Sequence, residues 1–234
     1  MPKPIKKKTV KKKRDSEDEV KEKLTDLRDT FQQRQKDIIK YIAVALIIII
    51  VIGGYVIYSK RAGSKAAQLR HEAYTIYHGP DRTGQSTAGE KYQRALELFQ
   101  KSYETRKSPI TLLYIAACYD ELDKDNEAIE TLKKFVKQYP HEEKLLPLAY
   151  QKMASLYKKQ GNLNEALETL NVLLSQPGDI YNDLALMESG KILEQMDKPD
   201  EAQKKYQELA TKYPNSPFIE DAVSKLPEKP KKKE

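Results

Sequence analysis

From Tyr41 to Tyr58 the chain carries eighteen residues without a single charge. At 1.5 Å per residue that run makes roughly 27 Å of helix, close to the hydrocarbon thickness of a bilayer. It predicts a transmembrane helix over 41–58. Upstream, Val20, Leu24, Leu27 and Phe31 fall at 4-3-4 spacing, which places them on one face of a helix over 16–40. Ser16 three residues before Glu19 has the spacing of a capping box, and Glu17, Asp18 and Glu19 suit the positive end of that helix. The stripe is a candidate for pairing with a partner helix or a second copy. Two heptads equally fit a solvated helix that extends the span.

Downstream the period changes to pairs of amphipathic helices that return three times between Pro109 and Ser216. Ala128, Ala166 and Ala202, each preceded by glutamate, align the units as 109–142, 147–180 and 183–216. In the first unit Leu112, Ile115, Ala116 and Tyr119 take positions 4, 7, 8 and 11, with Leu132 at 24 and Pro140 at 32. The second holds Tyr150, Met153, Ala154, Tyr157 and Leu170 there, with Pro177 one place early. The third holds Leu186, Ser189, Gly190, Leu193 and Tyr206, with Pro214 at its end. Small residues at 8 and 20 let the two helices of a unit approach, and large ones at 4, 11 and 24 fill the space between units. A second capping-box spacing joins Asn162 to Glu165, and Pro199 suits a first helical turn.

A degenerate unit over 66–108 precedes these. Ala66, Leu69, Ala73 and Tyr77 make its first helix and Ala95, Leu96, Phe99 and Ser102 its second, separated by a polar, Gly-rich insertion at 79–89 that predicts a loop. Residues 217–226 read as a capping helix, because a stacked array must close its last apolar face. The fold class is therefore all-α: an N-terminal transmembrane helix followed by an α-solenoid with a capping helix.

The repeat resembles the tetratricopeptide-repeat (TPR) family, whose pattern puts a bulky residue, a leucine, a small residue, an aromatic, an alanine, a second aromatic and a proline at those places. Ser189 at the leucine place and Leu193 at the tyrosine place depart from it. The resemblance implies a concave groove lined by positions 2, 5, 9 and 12 of each first helix. In this chain those are Ile110, Leu113, Ala117 and Asp120; Leu148, Gln151, Ser155 and Lys158; Leu184, Met187, Lys191 and Glu194. TPR adaptors that grip a carboxylate terminus use Asn and Lys at positions 5 and 9 of their first units. Leu113, Ala117, Gln151 and Ser155 stand there, which disfavours such a clamp and suits an extended or helical apolar segment.

The net charge of +7 belongs to the ends. Residues 1–40 carry 14 Lys/Arg against 8 Asp/Glu and residues 227–234 carry 4 against 2, which leaves the region between near neutral. That distribution argues against a nucleic-acid-binding face on the repeat domain. Residues 1–15 and 227–234 are too polar to pack and predict disordered tails. Attraction to anionic lipid headgroups explains the basic N-terminal tail, and ribosomal RNA is the alternative partner.

The 40-residue leader and the long apolar core fit an uncleaved signal anchor better than a cleaved signal peptide. The excess of Lys and Arg before the span predicts a cytoplasmic N-terminus, with Lys60 and Arg61 opposing that orientation.

Little here suggests chemistry. Gly84, Gly89, Glu90 and Lys91 come near a phosphate-binding loop, but Glu90 displaces the lysine and no strand precedes it. His71, His78 and His141 form no pair at metal spacing, and no nucleophile, base and acid group together. Cys118, the single cysteine, lies in an apolar stretch and reads as a buried structural thiol. No enzyme, metal or cofactor is expected.

The whole layout, a basic tail, one span ending in Gly53-Gly54-Tyr55 and Tyr58, an Ala-rich helix and then TPRs, is similar to the bacterial ancillary Sec-translocon subunit family. That likeness implies an inner-membrane protein whose periplasmic TPR domain meets the translocon, exported chains or chaperones. The longer Lys-rich tail and the absence of Trp depart from it. The rivals are a scaffold for an envelope division or secretion complex and a receptor whose repeats face the cytosol.

Overall fold

The computed structural model describes residues 16–80 and 87–227. The Lys-rich tails and the center of the insertion lie outside the described residues, as do the side chains at 16–18, 31, 33 and 36. The expected capping box at Ser16, the place of Phe31 in the stripe and the role of Gly84 fall there. Among the described residues every regular element is a helix.

Helix α1 runs Ser16–His78 and takes in both the stripe and the apolar run. The chain divides into two units, Met1–Lys60 and Arg61–Glu234. In the first, Val20, Leu24 and Leu27 are each more than half exposed, as are Ile47 and Ile50 in the apolar run. Within α1, Asp37–His78 contains a window with mean hydropathy 2.6, long and apolar enough to cross a membrane.

The second unit begins with the end of α1 and continues through α2 (Ala88–Thr105), α3 (Pro109–Glu121), α4 (Asp125–Gln138), α5 (Leu146–Lys159), α6 (Leu163–Leu174), α7 (Asn182–Gln195), α8 (Pro199–Lys212) and α9 (Ile219–Ser224). Each helix packs on the next in chain order, α3 with α4, α5 with α6 and α7 with α8 forming the hairpins. The last part of α1 pairs with α2, where Ser102 Oγ donates to the carbonyl of Ala66 at 2.8 Å and Ala73 joins Ala95, Leu96 and Phe99 in one core.

The small residues sit at the helix crossings. Ala116 and Ala128 share the core of the first hairpin, Ala154 and Ala166 that of the second, and Gly190 and Ala202 lie in the third, all buried. Between them Leu132, Leu170 and Tyr206 are almost fully enclosed, as position 24 requires. Closing the array, α9 buries Ala222, and Phe218, Ile219 and Leu226 pack against the cluster that holds Tyr206 and Leu209.

Every hairpin turns in the same way. The fifteenth residue of each unit is left-handed, Asp123 at φ 55°, Gly161 at 79° and Asp197 at 58°. The residue after it donates its N–H to the carbonyl five back, Lys124 to Tyr119, Asn162 to Tyr157 and Lys198 to Leu193, each at 2.9 Å. Those bonds satisfy carbonyls left open where the first helix ends.

Two local expectations change. Asn162 does precede α6, but its side chain makes no cap bond and Nδ2 donates instead to Gln160 Oε1 at 3.2 Å. Its backbone is already bent into the turn at ψ 69°, away from the extended geometry a capping side chain needs. The capping box stands at α2: Thr87 Oγ1 accepts from the Glu90 amide at 3.3 Å and Glu90 Oε2 from the Thr87 amide at 2.9 Å. Glu90, read above as the residue that spoils a phosphate loop, starts this helix, and the insertion ends at Thr87 rather than Gly89.

Candidate functional site

The first helices of successive units, the end of α1, α3, α5 and α7, carry the positions expected to line a groove. Their exposure is uneven. Leu113, Ala117 and Met187 are buried in the packing, at 4, 8 and 1 % exposure. Ile110, Asp120, Leu148, Gln151, Lys158, Leu184 and Lys191 are half-buried, while Ser155 and Glu194 are open.

Gln151, Ser155 and Lys158 of α5 meet Leu184 and Glu188 of α7 around one cavity of about 220 Å³, with Ala154, Leu170 and Ile192 beneath. Lys158 Nζ donates to Glu188 Oε2 across the two helices, and Lys191 Nζ reaches Glu188 Oε1 at 3.3 Å. Burial works to raise the Glu188 carboxyl, but the bonds and charge from Lys158 and then Lys191 prevail and hold it below the usual carboxylate range. Asp120 goes the other way: burial raises it against the pull of Lys152 and Lys159.

At the other end the lining is aromatic. The His78 ring lies 4.3 Å from Tyr74, 4.8 Å from Tyr77 and 5.9 Å from Tyr114, centroid to centroid. Tyr114 stacks on buried Phe99 at 4.9 Å, and Tyr77 Oη donates to Glu121 Oε1 at 3.3 Å. Burial, then the Glu121 charge, pushes the Tyr77 hydroxyl up and keeps it protonated as a donor.

Tyr114, Lys152 and Glu188 all occupy position 6, which the expected set omits. Position 6 follows position 2 by four, one helical turn along the same face, and that spacing was the available signal. Among the described residues no group of three or more His, Cys, Asp or Glu could hold a metal ion. The site offers an apolar and aromatic end, then amide and hydroxyl groups, then paired charges. Such a surface offers shape and a few polar groups for contact.

The Tetratricopeptide repeat-like domain model matches residues 28–224. The chain belongs to that family. No curated protein matches it. Among solved structures, the TPR-like repeats of a Podosopora anserina putative kinesin light chain are similar at 14 % identity, over 70 % of this chain and 84 % of that one, with a TM-score of 0.53. A MamA RS-1 double mutant is similar at 14 % identity, over 69 % of this chain and 90 % of that one, with a TM-score of 0.52. These likenesses show the fold. As a TPR protein, the chain has the architecture of a protein–protein interaction adaptor.

Proposed function

We propose that this TPR protein is a membrane-tethered adaptor, held by its apolar segment 41–58 with the N-terminal tail in the cytoplasm and the groove outside it. The observation that carries the reading is the exposed, uncharged run in α1 on the same chain as a groove built from facing first helices. In this reading the basic tail contacts anionic headgroups, and the groove receives newly exported chains or periplasmic chaperones beside the Sec translocon of the inner membrane. The aromatic end around Tyr74 and Tyr114 takes an apolar side chain, and Gln151, Ser155 and the Lys158–Glu188 pair engage the segment's backbone and polar groups. Lys60 and Arg61 favor a second reading, a receptor whose repeats face the cytosol.

The test joins topology to contact. A photoreactive side chain at Gln151 or Ser155 is placed in the full chain in sealed membranes, and protease is added from outside. The adaptor reading expects digestion of the repeats with survival of the Lys-rich tail, and crosslinks to translocon subunits or exported chains. Protected repeats would assign the groove to the cytosolic face, and a single stoichiometric envelope partner would assign it to a scaffold.

A further inference from the structure

A second cavity, of about 420 Å³, is lined by Gly63, Ala66, Ala67 and Arg70 of α1 and by Arg106, Lys107, Ser108 and Pro109 at the junction of α2 and α3. Three of those eight residues are cations and none is a carboxylate. Among the described residues Arg70, Arg106 and Lys107 form no ion pair. Arg70 Nη1 reaches only the Ser108 hydroxyl, at 3.5 Å. The absence of a side chain at Gly63 has a use here: a Cβ there would lie 2.5 Å from Arg106 Nη1, so the guanidinium rests against the bare backbone of α1. Arg106 and Lys107 are exposed and Arg70 is half-buried, so water screens their mutual repulsion, and an anion entering the cavity would meet three cations that already stand together.

The backbone adds positive potential. Ser108 precedes α3 without a side-chain cap bond, and Pro109, the first helical residue, has no N–H. The amides of Ile110 and Thr111 have no carbonyl four residues back in the helix, but neither residue lines the cavity and Thr111 is fully buried, so α3 contributes its positive end rather than a bond. No acidic side chain in its first turn answers it. Two planar guanidinium forks and one ammonium, beside the positive end of a helix, form the donor set of a phosphate site.

We propose that this cavity binds a phosphate group, that of an anionic lipid headgroup. The lipid source rests on the reading of 41–58 as a membrane anchor. Gly63 follows Tyr58 by five residues, so the cavity wall starts within about 18 Å of chain from the end of the apolar run. A soluble phosphate ester shares the chemistry and is separated by experiment.

Two probes are used on the full chain. Glycerol phosphate is titrated at low ionic strength in neutral detergent, against wild type, the triple variant Arg70→Gln/Arg106→Gln/Lys107→Gln, and a control triple of exposed lysines elsewhere, Lys101→Gln/Lys137→Gln/Lys204→Gln. Nanodiscs of phosphatidylcholine alone or with phosphatidylglycerol then carry the protein, and hydrogen exchange is followed at the Lys107 and Ser108 amides, which line the cavity. The cavity expects the first triple to lose about tenfold or more in glycerol phosphate affinity while the control stays close to wild type. The headgroup source expects those two amides to exchange more slowly only in the anionic discs, an effect absent from the first triple. Glycerol phosphate binding with equal exchange in both discs would keep the phosphate site and overturn the lipid source. No binding, equal loss in both triples, or preference for a Glu-rich peptide over glycerol phosphate would overturn the site. A chain that does not enter nanodiscs counts against the anchor, and the detergent titration still decides the cavity.

Discussion

The ring of Tyr206 lies directly over the backbone of Gly190: a Cβ on Gly190 would stand 2.6 Å from Tyr206 Cζ and 2.9 Å from Cδ1. These are positions 8 and 24 of the last hairpin, and the other hairpins fill the same places with Ala116 and Leu132 or with Ala154 and Leu170. A larger ring is matched by a smaller partner. The Tyr206 side chain is 1 % exposed and cannot swing clear.

Gly190→Ala is therefore expected to destabilise the last hairpin by about 1–3 kcal/mol, even though alanine is the better helix former. Adding Tyr206→Leu recreates the pair found in the other units and should recover most of the loss. A double-mutant cycle, read by hydrogen exchange along α7 and α8, is expected to give a coupling of at least about 1 kcal/mol. Additive effects of the two changes would show that the close approach carries no energy.

Residues such as these explain which parts of the fold were legible. A small residue at 8 and a bulky one at 24 recur at fixed spacing because one helix crossing recurs, and spacing is what a sequence displays. The Lys158–Glu188 bond joins residues 30 apart on different helices, so no local period announces it. The groove was legible as a face but not in its exposure. Leu113 and Met187 lie on the expected face yet are closed over by neighboring helices. Glu90 misled because an acid after glycine suits a failed phosphate loop and a helix start alike, and only its bond with Thr87 separates them.

The left-handed residue of each hairpin turn supplies another prediction. Glycine occupies it once, at Gly161, while Asp123 and Asp197 accept the same φ with a side chain. A non-glycine residue in this region costs roughly 1–2 kcal/mol, less for Asp, whose short polar chain tolerates it. Asp197→Gly should stabilise the turn by up to about 1 kcal/mol, and Gly161→Ala should destabilise its own by about 1–2 kcal/mol. Opposite signs in chemical denaturation check this. Two shifts of the same sign would show that the turn backbone adjusts.

Cys118 is fully buried, and burial, aided by the Glu121 charge, pushes its thiol up to about 12. At pH 8 the folded protein should hold almost no thiolate there and admit no reagent. Labeling by a disulfide reagent is expected to be slow and to accelerate in step with unfolding by denaturant. Stoichiometric labeling within seconds under native conditions would contradict the burial of this helix face.

Glu188 gives the repeat domain a pH dependence with a definite sign. Lys158 and Lys191 hold its carboxyl below the ordinary value of 4.5, so the folded chain binds this proton more weakly than the unfolded chain. The stabilisation is present above pH 4.5 and is lost as pH falls through the depressed folded value. With both partners of the Lys158–Glu188 pair partly solvated, its worth is about 0.5–1 kcal/mol. Glu188→Gln should lower stability by that amount at pH 7 and by much less at pH 3, since acid has already removed the charge from the wild type. The difference between the two stability curves isolates this carboxylate from the others that titrate in the same range. A difference that grows toward pH 3 would mean the protonated carboxyl is the form the fold prefers, and the charge pair would not be what ties α5 to α7 beside the cavity they share.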